Sequence, residues 1–356
     1  MVDRSPLATF LTKSLVDLPD PSAFAEAYGA IRSRLQAASS SSWDTLCHRC
    51  GRPARVVYQV FSMRFECPRC LVGVPKWTDD GSPPRCPACQ QPVSDSWKRL
   101  GFDLCETRLN CPNGCTPKSV SRSLRSPEQS ARNAFEASDL TRVERLSHLQ
   151  PEHPVPAYRF PERALNQRLH PRGIHTVDQL FAPWNLAPIA LAYHLAESAA
   201  DRSVRDALRF CVSSALLNSS RAYRHRETGG GPQSGALYVP FVYRDNNFVT
   251  ILDGKVRNYQ RALLDIATML RHTPSPMPLA LSTSSAADLS MLPDHRCRLC
   301  LHGSPVRRQV RLLGAEPSER GLAWLRHRLV VGAHGSEPLS GSLCEGVARG
   351  TAACVR

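Results

Sequence analysis

The sequence predicts an α/β chain whose core is interrupted by a small, metal-held β module and followed by a disordered C-terminal tail. Three observations predict this. Helical periods alternate with β-favouring runs up to about Pro293. Nine of the 14 cysteines lie between Cys47 and Cys115, six of them as Cys-x-x-Cys pairs. After Pro293 the chain becomes an Arg/Gly/Ser/Ala mixture with no period. At 356 residues the chain suggests more than one domain. The expected divisions are 1–42, an N-terminal piece of the core; 43–118, the inserted β module; 119–293, the helical and α/β remainder of the core; and 294–356, the tail.

Bulk composition narrows the class. A hydrophobic share of 42% can bury a core, which excludes a globally disordered chain. No apolar run approaches the ~18–20 residues that span a membrane. The start, Met-Val-Asp-Arg-Ser-Pro, lacks the charged-then-apolar pattern of a secretion signal, so a cytoplasmic protein without a membrane partner is expected. In that setting, 14 cysteines point to metal rather than disulfides. The net charge is +14, and residues 294–356 carry ten Arg against five Asp and Glu, which leaves +9 for residues 1–293. Such a surplus suits a phosphate backbone. Only five of the 45 basic residues are lysine, however, a bias that GC-rich coding also produces.

Taken in order, Met1 to Ala38 reads as the end of a strand and two helices. Asp20-Pro21 starts the second helix, as an N-cap followed by Pro at the first helical position. Phe24, Tyr28, Ile31 and Leu35 then share one face. Ala37–Ser42 reads as a Ser-rich linker, and Ser119–Leu149 as a loop and one helix. Five prolines make Pro151–Pro171 an extended connector. Helices are expected from Pro183 to about Ala200, over about Ser203–Ser219 and over Val256–Arg271. Arg224–Gln233 reads as a Gly-rich loop, Leu237–Tyr243 and Phe248–Leu252 as extended, and Leu279–Ser282 as a short strand.

The cysteines carry the clearest chemistry. A two-residue spacer lets both thiolates of a Cys-x-x-Cys knuckle reach one tetrahedral zinc, and two knuckles complete the site. Cys47/Cys50 and Cys67/Cys70 flank the β-favouring run Ala54–Phe61, the layout of a zinc ribbon with two short strands, and are assigned to a first Zn2+. Cys86/Cys89 and Cys111/Cys115 offer a second, in which Cys105 could replace one cysteine; His48 is an alternative ligand. Four thiolates leave no open position, so the metal is expected to be architectural. Arg49, Arg52, Arg55 and Arg69 stand near the knuckles, where they could meet DNA or form a solvated face. Cys297 and Cys300 repeat the spacing without a partner knuckle and are not taken as a site.

Further segments resemble one family. Val2-Asp3 with the stretch to Phe10, Gly173–Leu186 with its Phe-Ala-Pro-Trp-Asn-Leu end, Ser213-Ser214 with Asn218–Arg221, Gly235–Pro240 and Ser282–Pro293 are similar, in order, to segments of the adenine-specific DNA methylases that carry an inserted zinc ribbon. The resemblance covers roughly residues 2–293. It implies a partial Rossmann-like methyltransferase core, S-adenosylmethionine as cofactor and DNA as partner. It also implies that Asp3 meets the cofactor ribose at a strand end and that Asp288 lies near the cofactor adenine. Ala182 and Trp184 depart from the family's Thr and Arg.

Two family loops are missing. The Gly-rich cofactor loop would precede Val2. The Asp-Pro-Pro-Phe loop, which grips a flipped adenine, is replaced by Gly303-Ser-Pro-Val306. Back-translated with ordinary wobble choices and read one base later, His295–Gln309 becomes Thr-Ala-Val-Asp-Tyr-Val-Phe-Thr-Asp-Pro-Pro-Phe-Gly-Gly-Asn. Residues 294–356 are therefore expected to be a frameshifted tail. The chain is expected to be a fragment without catalytic residues and inactive as a methyltransferase. The alternatives are a non-enzymatic zinc-ribbon module that binds nucleic acid, and a chain completed by a separate polypeptide bearing the missing core.

Overall fold

A computed structural model of the chain describes residues 2–3, 5–78, 81–115, 119–156, 158–161, 169–226, 229–232, 237–270 and 282–283. They fall into two compact units. In the smaller, β1 (Val2–Asp3) is followed by α1 (Pro6–Val16) and pairs in parallel with the last strand, β10 (Ser282–Thr283). Val2 stands opposite Ser282, and Asp3 opposite Thr283. The larger unit runs from Asp17 to Pro274.

The larger unit opens with α2 (Pro21–Trp43), capped by the Asp20 carboxylate, which accepts the N–H groups of Ser22 and Ala23 at 2.9 Å each. Phe24, Tyr28, Ile31 and Leu35 are buried on one face, as their spacing predicts. The helix does not stop at the Ser-rich run. Ser39 and Ser42 are buried, Ser40 Oγ donates back to the Ala37 carbonyl, and the fully buried Trp43 gives the last turn a reason to persist. No linker stands at Ala37–Ser42.

Next come β2 (Asp44–Leu46), β3 (Pro53–Glu66), β4 (Gly73–Pro75), β5 (Lys98–Asn110) and β6 (Ser119–Arg122). The run expected to make two short strands is one strand of 14 residues, β3, with β2 and β4 paired to its two ends. A helical stretch follows: α3 (Gln129–Ala134), one wide π turn over 135–140, and α4 (Thr141–Leu146). Then come α5 (Pro183–Glu197), α6 (Arg202–Leu216), β7 (Tyr223–Arg226), β8 (Gly229–Pro232), β9 (Val242–Asn246) and α7 (Phe248–Leu270). Gly229–Gly231 thus lie in a strand rather than a loop. Phe248–Leu252 begins a helix rather than a strand, because Val249, Leu252, Val256, Tyr259 and Leu263 recur at helical spacing and are all buried.

The main sheet runs in the order β6-β5-β3-β9-β7-β8. Every pairing in it is antiparallel, so the fold of this unit is α+β. That corrects the α/β expectation here. A Rossmann-like core needs parallel strands joined by crossover helices, whereas β3 and β5 are joined by a segment carrying two Cys pairs. On one face of the sheet Phe61 stacks on Tyr243 and Trp184, with ring centroids 5.2 and 6.0 Å away, over a core that includes Trp43, Phe135 and Leu169. The apolar faces of α2, α5, α6 and α7 form a second core.

Candidate metal centres

Three Cys-x-x-Cys segments take one backbone shape. The first cysteine's carbonyl accepts an N–H from the residue after the second cysteine, at 2.8 Å in each: Gly51 to Cys47, Leu71 to Cys67 and Gln90 to Cys86. The first cysteine's own N–H reaches one residue further, to Arg52, Val72 and Gln91, at 2.9 Å. This turn requires positive φ after the second cysteine, and Gly51, Leu71 and Gln90 have φ of 67°, 58° and 60°. The fourth segment, Cys111-Pro-Asn-Gly-Cys115, has one more spacer residue and turns at Gly114, φ 86°.

These segments meet in two tetrads. Cys47, Cys50, Cys111 and Cys115 form one, and Cys67, Cys70, Cys86 and Cys89 the other. Both could hold a metal ion. Sulfurs are 3.9 Å apart for Cys47–Cys115, 3.5 Å for Cys50–Cys111, 3.6 Å for Cys67–Cys89 and 3.2 Å for Cys70–Cys86. A tetrahedron with metal–sulfur bonds of about 2.3 Å has edges of about 3.8 Å. All eight expected ligands fall in these two tetrads, but not in the expected sets, since the first pair does not join the second. The reason is strand length. At about 3.3 Å per residue, a 14-residue strand is roughly 45 Å long, so β3 keeps the segment before it and the segment after it at opposite ends. The antiparallel register sets Arg55 against Asn110 and Glu66 against Lys98. The segment before β3 thus meets the segment after β5, and the segment after β3 meets the one before β5. Cys105 lies in the middle of β5, outside both tetrads.

The thiols already divide into acid and base. Burial raises Cys86, but hydrogen bonds from the Cys70 thiol and the Cys89 and Ala88 N–H groups outweigh it and bring it down to about 6. The Asn113 N–H, with the Cys50, Cys115 and Cys47 thiols, brings Cys111 down to about 6. Their partners, Cys70 and Cys115, are pushed up to about 12 by hydrogen bonds to Cys86 and Cys50. In each tetrad the sulfurs share protons through these hydrogen bonds, and a cation bound there displaces the protons that remain.

His48, weighed as a ligand, is turned away from the sulfurs. Its side chain is 1% exposed; Nδ1 accepts from Arg122 Nε at 3.3 Å, and Nε2 stands 3.2 Å from Glu128 Oε2. Burial and the Arg122 charge lower its pKa, so it is neutral and donates through Nε2 to Glu128. Arg122, itself 1% exposed, also bonds the Leu46 carbonyl and lies 3.5 Å from Asp139, which pairs with Arg142 at 2.9 Å. This buried chain ties the first tetrad to the helical stretch. No periodicity marks it, since its members lie 48 to 142 along the chain, in a turn, a strand, a π turn and a helix. A second buried network went equally unseen: Asp245 accepts from Trp184 Nε1 at 2.6 Å and from Asn185 Nδ2 at 2.9 Å. It shows that Trp184 and Asn185 serve the packing of α5 against β9.

Of the other expected sites, Asp3 is the last residue of β1. Asp288, Cys297, Cys300 and the whole of 294–356 lie outside the described residues. Of the knuckle arginines, Arg49 pairs with Glu128 at 2.7 Å and Arg55 with Asp44 at 3.9 Å, while Arg52 and Arg69 are exposed. No described helix is long and apolar enough to cross a membrane. No family model, curated protein or solved structure matches the chain.

Proposed function

We propose that this chain is a DNA-binding, methylase-like module held in shape by two structural zinc ions, and that the 356-residue polypeptide alone transfers no methyl group. The donor set is the observation that supports this most directly. Each site offers four thiols and nothing else, and four thiolates saturate a tetrahedral ion with no position left for water or substrate. All-sulfur tetrahedral donors favour zinc over the oxygen-seeking divalent ions. The thiols close both ends of the β3–β5 ribbon, where an ion can hold strands but not reach a substrate.

The methylase part rests on the resemblance, and one structural feature favours it. Asp3 ends a strand that pairs in parallel with Ser282–Thr283, although 278 of the 356 residues lie between them. Neighbouring strands of a doubly wound sheet pair in this way, and their carboxyl ends face the cofactor. S-adenosylmethionine would place its ribose against Asp3 in such a site. The DNA part is supported by the net charge of +14 and by the exposed Arg52 and Arg69 at the knuckles.

The test is one preparation with three readouts. Two equivalents of zinc per chain, salt-sensitive retention of duplex DNA and no transfer from labelled S-adenosylmethionine are expected. Methyl transfer by the chain alone refutes the inactive reading, and failure to retain DNA refutes the binding reading. Methyl transfer that appears only when a second polypeptide bearing a Gly-rich cofactor loop is added supports a split enzyme.

A further inference from the structure

The metal centres and the cores leave one face of α7 without a task. Opposite its buried stripe, Thr250, Arg257, Asn258 and Arg261 recur at helical spacing and, with Lys255 and Asn218, line an open polar groove of about 430 Å³. The groove holds three cations, two amides and a hydroxyl beside Ile251 and Gly254, with no carboxylate and no aromatic ring among its lining residues. Lys255 and Arg261 have no ion-pair partner among the described residues, and Arg257 donates only through Nε, to the Asp253 carbonyl at 3.3 Å. The one acid within this stretch is engaged elsewhere, since the Asp253 carboxylate accepts from Tyr28 at 2.7 Å and Arg32 at 2.8 Å. Asp265, one turn beyond Arg261, does not line the groove.

Unpaired cations converging with amide and hydroxyl donors, and no acid, form a site for phosphate oxygens. The groove is a trough rather than an enclosed pocket, and residues 250 to 261 extend it along about 17 Å of helix. That length suits several consecutive phosphates better than one small ligand. We infer that this groove is a phosphodiester-backbone site, which grips a nucleic-acid strand by charge and does not read its bases. The inference rests on the DNA-binding part of the function proposed above and adds a face of α7 to the knuckle arginines as a place where the strand is held.

The experiment is fluorescence anisotropy of a labelled, mixed-sequence duplex of about 20 base pairs, titrated with the full chain at salt concentrations from about 50 to 200 mM. The triple variant Lys255→Gln, Arg257→Gln, Arg261→Gln keeps helix-compatible side chains at three positions outside both cores. It is expected to bind at least about tenfold more weakly and to flatten the log–log salt slope by about 2.7, the value for three phosphate contacts. The charge-keeping variant Lys255→Arg, Arg257→Lys, Arg261→Lys should retain the wild-type slope, which separates lost charge from lost fold. Equal slopes for the wild type and the Gln variant overturn the groove alone. A wild type that does not retain the duplex overturns both the groove and the DNA-binding reading. Calorimetry with inorganic pyrophosphate covers the remaining source of phosphate. Pyrophosphate binding that the Gln variant loses while duplex binding is unchanged overturns the backbone assignment.

Discussion

The two Cys tetrads offer the same donors to a metal, yet they sit in different surroundings. Cys47 and Cys115 are 68 positions apart, Cys67 and Cys89 only 22. Loop closure alone makes the wider site costlier by only about 1 kcal/mol, so span is not the main contrast. What differs is what each tetrad is fastened to. The first is joined through His48 and Arg122 to Asp139 and Arg142, and so to the helical stretch between β6 and α5. The second rests on a small separate cluster of Met63, Phe65, Val74 and Trp97 at the other end of the ribbon. Identical chemistry can therefore serve as a joint between distant segments at one end and as a clip on a hairpin tip at the other.

Removing one ligand from each is the most forceful way to break this comparison. A structural zinc contributes on the order of 10 kcal/mol of apparent folding free energy. Cys111→Ser should raise amide exchange across β2, β6 and residues 129–146. Cys86→Ser should raise it only across the segment from Cys67 to Trp97 and leave the helical layer protected. Equal spread of exchange in the two variants would show that the sites are not separate supports.

The buried ion chain should give the next largest effect. Asp139→Leu leaves Arg122 and Arg142 buried without the carboxylate they share. A loss of about 3–5 kcal/mol in urea unfolding is expected, partly recovered by adding Arg142→Met, which removes one of the two stranded charges. At the other tetrad, Lys76 pairs with the exposed Asp95, and Lys76→Ala should cost no more than about 1 kcal/mol. Similar losses at the two ends would erase the distinction.

The sequence made some of this legible and hid the rest for physical reasons. Cys-x-x-Cys spacing is local, so the ligands could be named from it. Which pairs combine depends on the register of β3 with β5, and that register is set over a 14-residue strand by cross-strand packing that no single segment encodes. The buried helical faces of α2, α6 and α7 were readable because they are periodic. The Ser-rich end of α2 was not, because burial of Trp43 overrides the weak helix propensity of serine. Polar networks such as Trp184–Asn185–Asp245 carry no period and emerge only with contacts between elements.

Asp245 sharpens the contrast between charge that is paired and charge that is not. Unlike Asp139, it is held by neutral donors, and burial pushes its pKa up to about 7. Because that folded value lies above the unfolded one, its stabilising contribution is full at low pH and is lost as pH rises toward 7. Between about pH 5.5 and 7.5 the wild type should lose about 2 kcal/mol relative to Asp245→Asn. Taking the difference from this variant removes the opposing trend of the thiols, which bind metal better as pH rises. A difference that stays flat across this range would mean that the Trp184 and Asn185 hydrogen bonds already hold Asp245 ionised.

The smallest expected effect probes the same backbone position in the two tetrads. Gly51 in the first and Leu71 in the second both follow the second cysteine of a knuckle, with φ of 67° and 58°. A side chain in this left-handed region costs about 1 kcal/mol or more. Leu71 recovers little of that by packing, since it is 72% exposed. Leu71→Gly should therefore stabilise the second site, by less than about 1 kcal/mol because glycine also gains freedom in the unfolded chain. Gly51→Ala should destabilise the first by about 1 kcal/mol, with strain rather than crowding as the cause, since nothing lies within 4 Å of an added Cβ. Competition with a chelator of graded affinity reads both changes as opposite shifts in metal release. If Leu71→Gly releases metal more readily instead, the exposed leucine contributes something that its contacts in the isolated chain do not explain, and the hairpin tip is more than a clip.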